Sequence, residues 1–229
     1  MKKHYPWLWF DADNTLFDYD RAEGLALKNT FGSLELRFED DYLDTYQRIN
    51  RGLWQALEKQ EITSTLLRVR RFELLLEAVQ LTGSADQMST SYIEQLGLRA
   101  ELMDGAYEVL DALHSKCKFA IVTNGLQAVQ RGRLENSTIK GFISELIISE
   151  EVGAAKPHAA FFDEAFARTG HPARSDVLII GDSLTSDIRG GVDYGIDICW
   201  YNPKAEARPA DLPITYEIRH LRELLNLLD

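Results

Sequence analysis

Short apolar runs punctuate the chain at residues 7–10, 119–122, 146–148 and 177–180, and residues 196–201 add a fifth. They are rich in Ile, Val and aromatics and stop near Asp, Asn, Ser or Gly. That is the pattern of strands covered on both faces of a parallel sheet. Segments of helical period lie between the later runs, at residues 105–113, 159–169 and 185–194, and residues 217–228 close the chain. Such alternation predicts an α/β fold with a doubly wound parallel sheet.

From Phe17 to about Ala100 no comparable strand run occurs. The period there is helical. Asp20 and Glu23 read as a capping box that opens a first helix running toward Phe31. Tyr42, Tyr46, Ile49, Leu53 and Ala56 repeat at three and four residues on a second, and Leu66, Val69, Phe72, Leu76 and Val79 do so on a third. Residues 92–98 end a fourth. The acidic cluster Glu39-Asp40-Asp41 suits a helix N-terminus, where the dipole favours negative charge. An all-α insertion over residues 17–100 is therefore expected inside a core of residues 1–16 plus 101–229. Residues 202–213, with three prolines, read as a connection before the last helix.

Composition narrows the partners. The 229 residues are 45% hydrophobic and 27% charged, as in a chain with a real core, and the net charge is −11. An acidic balance argues against a nucleic acid polymer as partner. A small phosphorylated molecule remains open, provided its pocket has local positive charge. No apolar stretch is long enough to span a membrane. Met1-Lys-Lys has the charge of a signal n-region, but the apolar run of residues 7–10 is too short for its hydrophobic region. Cys117 and Cys199 stand far apart and read as free thiols of a reducing compartment. A cytoplasmic protein is expected.

The chemistry gathers at the strand ends, where open α/β sheets bind ligands. Asp11 and Asp13 follow the first strand; Thr123, Asn124 and Gly125 follow the second; Lys156 lies beyond the third; Gly181, Asp182 and Ser183 follow the fourth, with Asp187 one turn on. Like charges at the spacing of Asp11 and Asp13 repel unless a proton or a cation intervenes. Oxygen ligands without His or Cys suit a hard cation, and Mg²⁺ is the natural choice where phosphate shares the shell. Thr123 and nearby backbone N–H groups offer hydrogen bonds to phosphate oxygens, Gly125 permits close approach, and Lys156 supplies the charge.

These segments resemble the motifs of the haloacid dehalogenase-like (HAD) hydrolase superfamily. D-x-D-x-T stands as Asp11-Ala-Asp13-Asn-Thr15, the strand ending in Ser or Thr as Ile-Val-Thr123, the lysine motif as Lys156-Pro157, and G-D-S-x-x-x-D as Gly181-Asp182-Ser183-Leu-Thr-Ser-Asp187. All occur in the family's order, across nearly the whole chain. The resemblance implies a Rossmann-like HAD core with an inserted all-α cap, and a phosphatase that works through an aspartyl phosphate. It implies Asp11 as nucleophile, Asp13 as acid and then base, and Thr123 and Lys156 as stabilisers of the transferring phosphoryl group. Mg²⁺ is implied on Asp11, the Asp13 carbonyl and Asp182, with Asp187 supporting the shell. The phrases Phe-Asp-Ala-Asp-Asn-Thr-Leu-Phe-Asp, Ser149-Glu-Glu-Val-Gly and Gly181-Asp-Ser-Leu-Thr-Ser-Asp-Ile are similar to bacterial nucleoside 5'-monophosphate phosphatases acting on pyrimidine and non-standard nucleotides. His158-Ala159 departs from the Asp-Pro that usually follows the lysine motif there.

Other readings are weaker. A dehalogenase proper generally lacks the second aspartate. A sugar-phosphate phosphatase or phosphomutase shares the same core motifs. A receiver-like phosphoacceptor module carries its aspartate on an inner strand and has no helical insertion. A catalytically dead binding protein is disfavoured because every motif residue is present. Tyr42, Tyr46 and Trp54 read as core aromatics rather than as stacking contacts to a base, and His158 reads as a loop residue rather than as a catalyst.

Overall fold

The computed structural model describes residues 3–228; Met1 and Lys2 of the basic opening, and Asp229, lie outside the described residues. Six parallel strands form one sheet in the order β3-β2-β1-β4-β5-β6. They are β1 (Trp7–Phe10), β2 (Lys118–Thr123), β3 (Ile143–Ile148), β4 (Val177–Gly181), β5 (Asp197–Tyr201) and β6 (Tyr216–Ile218). The chain runs outward from β1 through β2 to β3, then returns to β4 on the other side of β1. The strand ends of β1 and β4 thus flank the point where the winding reverses, which is where such sheets leave a crevice.

Alternate strand residues point to opposite faces. Leu8, Phe10, Ile121, Leu178 and Ile180 pack on one face with Val109, Leu110 and Leu113 of α5 (Ala106–Leu113). Trp7, Trp9, Val122, Ile179 and Trp200 pack on the other with Phe161, Phe162, Ala165 and Phe166 of α8 (Ala159–Arg168). Between them in chain order come α6 (Gln127–Glu135) and α7 (Ser149–Val152); α9 (Arg189–Tyr194) follows β4.

Between β1 and α5 stand α1 (Tyr19–Ser33), α2 (Asp41–Glu58), α3 (Ser64–Ala78) and α4 (Ala85–Gly97). Their apolar faces share one cluster built on Leu27, Phe31, Tyr46, Phe72, Leu75 and Tyr92. Leu126 and Val129, around the start of α6, join it. Gly132 makes that approach possible: a Cβ there would stand 2.9 Å from the Gly97 carbonyl oxygen. Two connections link the helices to the sheet and run side by side, with Asp18 N–H donating to Glu101 O (3.0 Å) and Met103 N–H to Leu16 O (2.9 Å). No helix among the described residues is long and apolar enough to cross a membrane.

Several local expectations change. Residues 217–228 are not one helix. Residues 216–218 form β6, which pairs with β5 at Cys199–Tyr201, and α10 (Leu224–Leu227) is a single turn. The Leu spacing there is helical, but the open edge of β5 captures the start of the segment. Asp18, not Asp20, caps α1, accepting the Arg21 N–H at 3.1 Å. Asp20 accepts from Asn14 Nδ2 instead (2.9 Å). Glu23 is buried, not a cap, and receives Tyr19 Oη–H, Asn50 Nδ2 and Gln47 Nε2. On α3 the buried stripe runs through Leu67, Phe72 and Leu75, leaving Leu66 exposed.

Candidate active site

The end of β1 becomes the floor of the site because its ladder continues one residue further: Asp11 N–H donates to Ile180 O at 2.8 Å. Phe10 faces Ile180 in the register, so Asp11 and the Gly181-Asp182 pair leave the sheet side by side. Asp187 returns to the same place from a π-helical turn at Leu184–Ile188, whose extra residue per turn aims the carboxylate back at the strand end. Its Oδ2 accepts the Ser183 N–H (3.2 Å). The fit depends on Gly181, where a Cβ would stand 2.3 Å from Asp187 Oδ2 and 2.6 Å from its Cβ.

Lys156 is the positive centre. It is 1% exposed, and its Nζ donates to Asp11 Oδ1 (2.6 Å), Asp187 Oδ1 (2.5 Å) and Val122 O (2.6 Å). All three ammonium hydrogens therefore have acceptors. Asn124 fixes the lysine backbone, accepting its N–H (2.8 Å) and donating to its carbonyl (2.9 Å). Thr123 is buried, and its Oγ1 accepts the Gly125 N–H at 3.0 Å, which leaves the hydroxyl hydrogen for another acceptor.

Asp11, Asp182 and Asp187 each offer a carboxylate oxygen, and these atoms lie within 4.8 Å of one another. One lysine cannot balance three such groups. Burial raises the Asp11 carboxyl well above its ordinary range; Lys156 pulls it back, and Asp187 and Asp182 push it up again. Burial, then Asp187, pushes Asp182 up to about 7. For Lys156, burial disfavours the charge, but Asp11 and Asp187 outweigh it and the ammonium is held. Surplus negative charge on hard oxygens, without His or Cys, suits a divalent cation of the Mg²⁺ type.

Asp13 stands apart from this cluster. Its carboxylate is gripped from α6, with Oδ2 accepting Gln130 Nε2 (2.8 Å) and Oδ1 paired with Arg133 Nη1. Arg133 is fully buried, donates through Nε to Arg99 O (3.0 Å), and lies over the rings of Phe17 and Tyr19. Neither Gln130 nor Arg133 was among the residues singled out from sequence. Alpha-6 is strongly polar and lies far from Asp13 in the chain, so no local pattern marks it. All eight expected residues line or border one region: Asp11, Asp13, Thr123, Asn124, Gly125, Asp182 and Asp187 bound a cavity of about 590 Å³, and Lys156 closes its floor. Tyr19, Asn50, Arg51, Trp54 and Glu58 cover that cavity from α1 and α2.

A doubly wound sheet with carboxylates and a buried lysine at its switch point defines a class, and comparison gives it a family. The haloacid dehalogenase-like hydrolases match residues 7–195, and the chain belongs to that family. It is 35% identical to the HAD-hydrolase YfnB of Bacillus subtilis, covering 99% of this chain and 97% of the relative. It is 35% identical to the pyrimidine 5'-nucleotidase YjjG of Escherichia coli (98% of each chain) and 33% identical to the pyrimidine 5'-nucleotidase PynA of Streptococcus pneumoniae (98% and 95%). The crystal structure of YfnB bound to magnesium superposes with a TM-score of 0.92, covering 99% of this chain and 100% of that one.

Proposed function

We propose that the chain is a Mg²⁺-dependent phosphomonoesterase that hydrolyses nucleoside 5'-monophosphates, pyrimidine nucleotides foremost, through a phosphoryl group carried on Asp11. The observation that supports this best is the strand-end cluster of Asp11, Asp182 and Asp187, with the buried Lys156 ammonium bonded to Asp11 and Asp187. The pyrimidine assignment rests on full-length similarity to two pyrimidine 5'-nucleotidases. Asp11 and Asp182 would hold Mg²⁺ together with the Asp13 carbonyl, and Asp187 would support the shell through Lys156. The ion would offset carboxylate charge and draw in the phosphate oxygens.

The remaining chemistry belongs to the side chains. Lys156 occupies Asp11 Oδ1, so Oδ2 is the attacking atom. It bonds to phosphorus as the bond to the leaving oxygen breaks, and Asp13 gives that oxygen its proton. Water then attacks phosphorus, Asp13 takes the water's proton, and Asp11 is released as carboxylate. The Thr123 hydroxyl, the Asn124 backbone N–H and Lys156 stabilise the oxygens of the group in flight. Gln130 and Arg133 act as positioning residues, because they donate to both Asp13 oxygens and so set where its carboxyl group stands. Residues 17–100 serve as the cap that covers this chemistry and excludes water. A cytoplasmic location fits the two unpaired thiols, Cys117 and Cys199.

The test is phosphate release across nucleoside monophosphates and sugar phosphates, with Mg²⁺ and with EDTA. Mg²⁺-dependent turnover led by UMP, dUMP or dTMP is expected. Turnover confined to sugar phosphates would remove the nucleotide assignment, and turnover undiminished by EDTA would remove the metal. Gly181→Ala should lower kcat/KM about 10²-fold, since a displacement of about 1 Å at a catalytic group has that cost. Denaturant titration should find it about 1–3 kcal/mol less stable from overpacking. Unchanged kinetics would mean that the Asp187 position is not critical.

A further inference from the structure

A second cavity, of about 650 Å³, opens beside the catalytic one and shares Trp54, Glu58 and Asn124 with it. The mechanism leaves it unused. We propose that it is the seat of the nucleobase, with Trp54 as the stacking face and the Gln60–His158 pair at the polar edge; this rests on the phosphatase reading above.

Three observations carry the assignment. The first is place. Asn124 belongs to the turn after β2 that borders the phosphate, so a leaving group attached there has this cavity as its neighbour. The second is the lining. Leu57, Ile62, Leu126, Ala154, Ala155 and Ala160 make the walls mainly apolar, which suits a flat heterocycle and gives little to a hydroxyl-rich sugar. Glu150 also borders the cavity, but its carboxylate is already committed. It accepts Arg68 Nη2 on both oxygens (2.7 and 2.8 Å) and the Gln127 N–H (2.7 Å), so it does not confront the ligand as a free charge.

The third observation is the polar edge. Gln60 follows α2, and His158 stands just before α8; both border the cavity, and their side chains meet there at 2.9 Å. Gln60 adopts a left-handed backbone (φ 60°), a conformation uncommon for a residue with a side chain. An amide and an imidazole together present donors and acceptors in one place, as the carbonyl and ring N–H edge of a base requires. Trp54 is half-buried on α2 and lines both cavities, so a base on its ring would keep its phosphate on the catalytic side. Stacking on an aromatic side chain tolerates different bases, whereas the amide–imidazole edge selects among them.

The experiment uses the full chain and 4-nitrophenyl phosphate, whose hydrolysis does not require the seat to be filled by a base. Thymidine and uridine, which lack phosphate, should inhibit that hydrolysis competitively. Trp54→Ala should raise the thymidine inhibition constant at least about tenfold, as expected for loss of a base–aromatic stack, and Trp54→Phe should restore most of it. His158→Ala should change the ratio of the uridine and cytidine inhibition constants. Hydrolysis without inhibition by any nucleoside would overturn the seat and leave the phosphatase standing. Inhibition that Trp54→Ala and His158→Ala leave unaltered would also overturn it. If neither an aryl phosphate nor any nucleoside monophosphate is hydrolysed, the catalytic reading falls, and equilibrium dialysis of labelled thymidine against wild type and Trp54→Ala decides the seat separately.

Discussion

Asp11→Asn is expected to lose phosphatase turnover by about 10⁴-fold or more, the scale seen when an enzyme's nucleophile is removed, while the protein stays folded. The amide has the shape of the carboxylate but cannot form the acyl phosphate. Its carbonyl oxygen can still accept the Lys156 ammonium that Asp11 Oδ1 accepts at 2.6 Å. One of three crowded carboxylates disappears, and with it the cost of burying its charge and its repulsion by Asp187 and Asp182. The variant should therefore unfold at a midpoint equal to or above that of the wild type when no divalent ion is added. Initial rates on UMP and on 4-nitrophenyl phosphate, with thermal melts of both proteins, check this. Activity within tenfold of wild type would remove Asp11 as the nucleophile.

Lys156→Met should damage both stability and activity. Methionine matches the lysine stem in volume, yet it leaves Asp11 and Asp187 facing each other, and leaves the Val122 carbonyl without its donor. Removing one partner of a buried ion pair typically costs about 3–5 kcal/mol, because the other charge remains. For a chain of this size that corresponds to roughly 10 °C in Tm. Added Mg²⁺ should recover part of the loss by offsetting the exposed carboxylate charge. Turnover should stay low even with metal, since the proposed mechanism loses the positive charge that would stabilise the phosphoryl group beside Asp11. Denaturant titration with and without Mg²⁺ and steady-state kinetics measure the two effects. A variant as stable as wild type without metal would mean that the lysine does not balance these charges.

The strands and the chemistry at their ends could be read from sequence because both are local. A run such as Trp7–Phe10 is apolar throughout since helices cover both faces of the sheet, and polar residues appear where the strand leaves cover. What could not be read depends on contacts between distant segments. The pairing of β6 with β5 is decided by an open edge, not by the Leu spacing that follows it. Glu23 satisfies the letters of a capping box, but it is drawn inward by Gln47 and Asn50 of the next helix. Tyr42 and Tyr46 are core residues as their spacing implies, whereas Trp54, on the same helix, borders both cavities. Gln130 and Arg133 stood outside any motif, although their side chains hold the Asp13 carboxylate.

The most direct test of a phosphoryl group carried on Asp11 uses Asp13→Asn with an aryl phosphate. A good leaving group departs without a proton, so the first step should proceed. Hydrolysis then lacks its base, and the intermediate should accumulate. Acid quench after incubation with labelled 4-nitrophenyl phosphate and Mg²⁺, followed by peptide mass spectrometry, should place nearly one phosphoryl group per chain on Asp11 and none in the Asp11→Asn, Asp13→Asn double variant. Release of 4-nitrophenol by Asp13→Asn with no label on the protein, or with label on another residue, would contradict the mechanism.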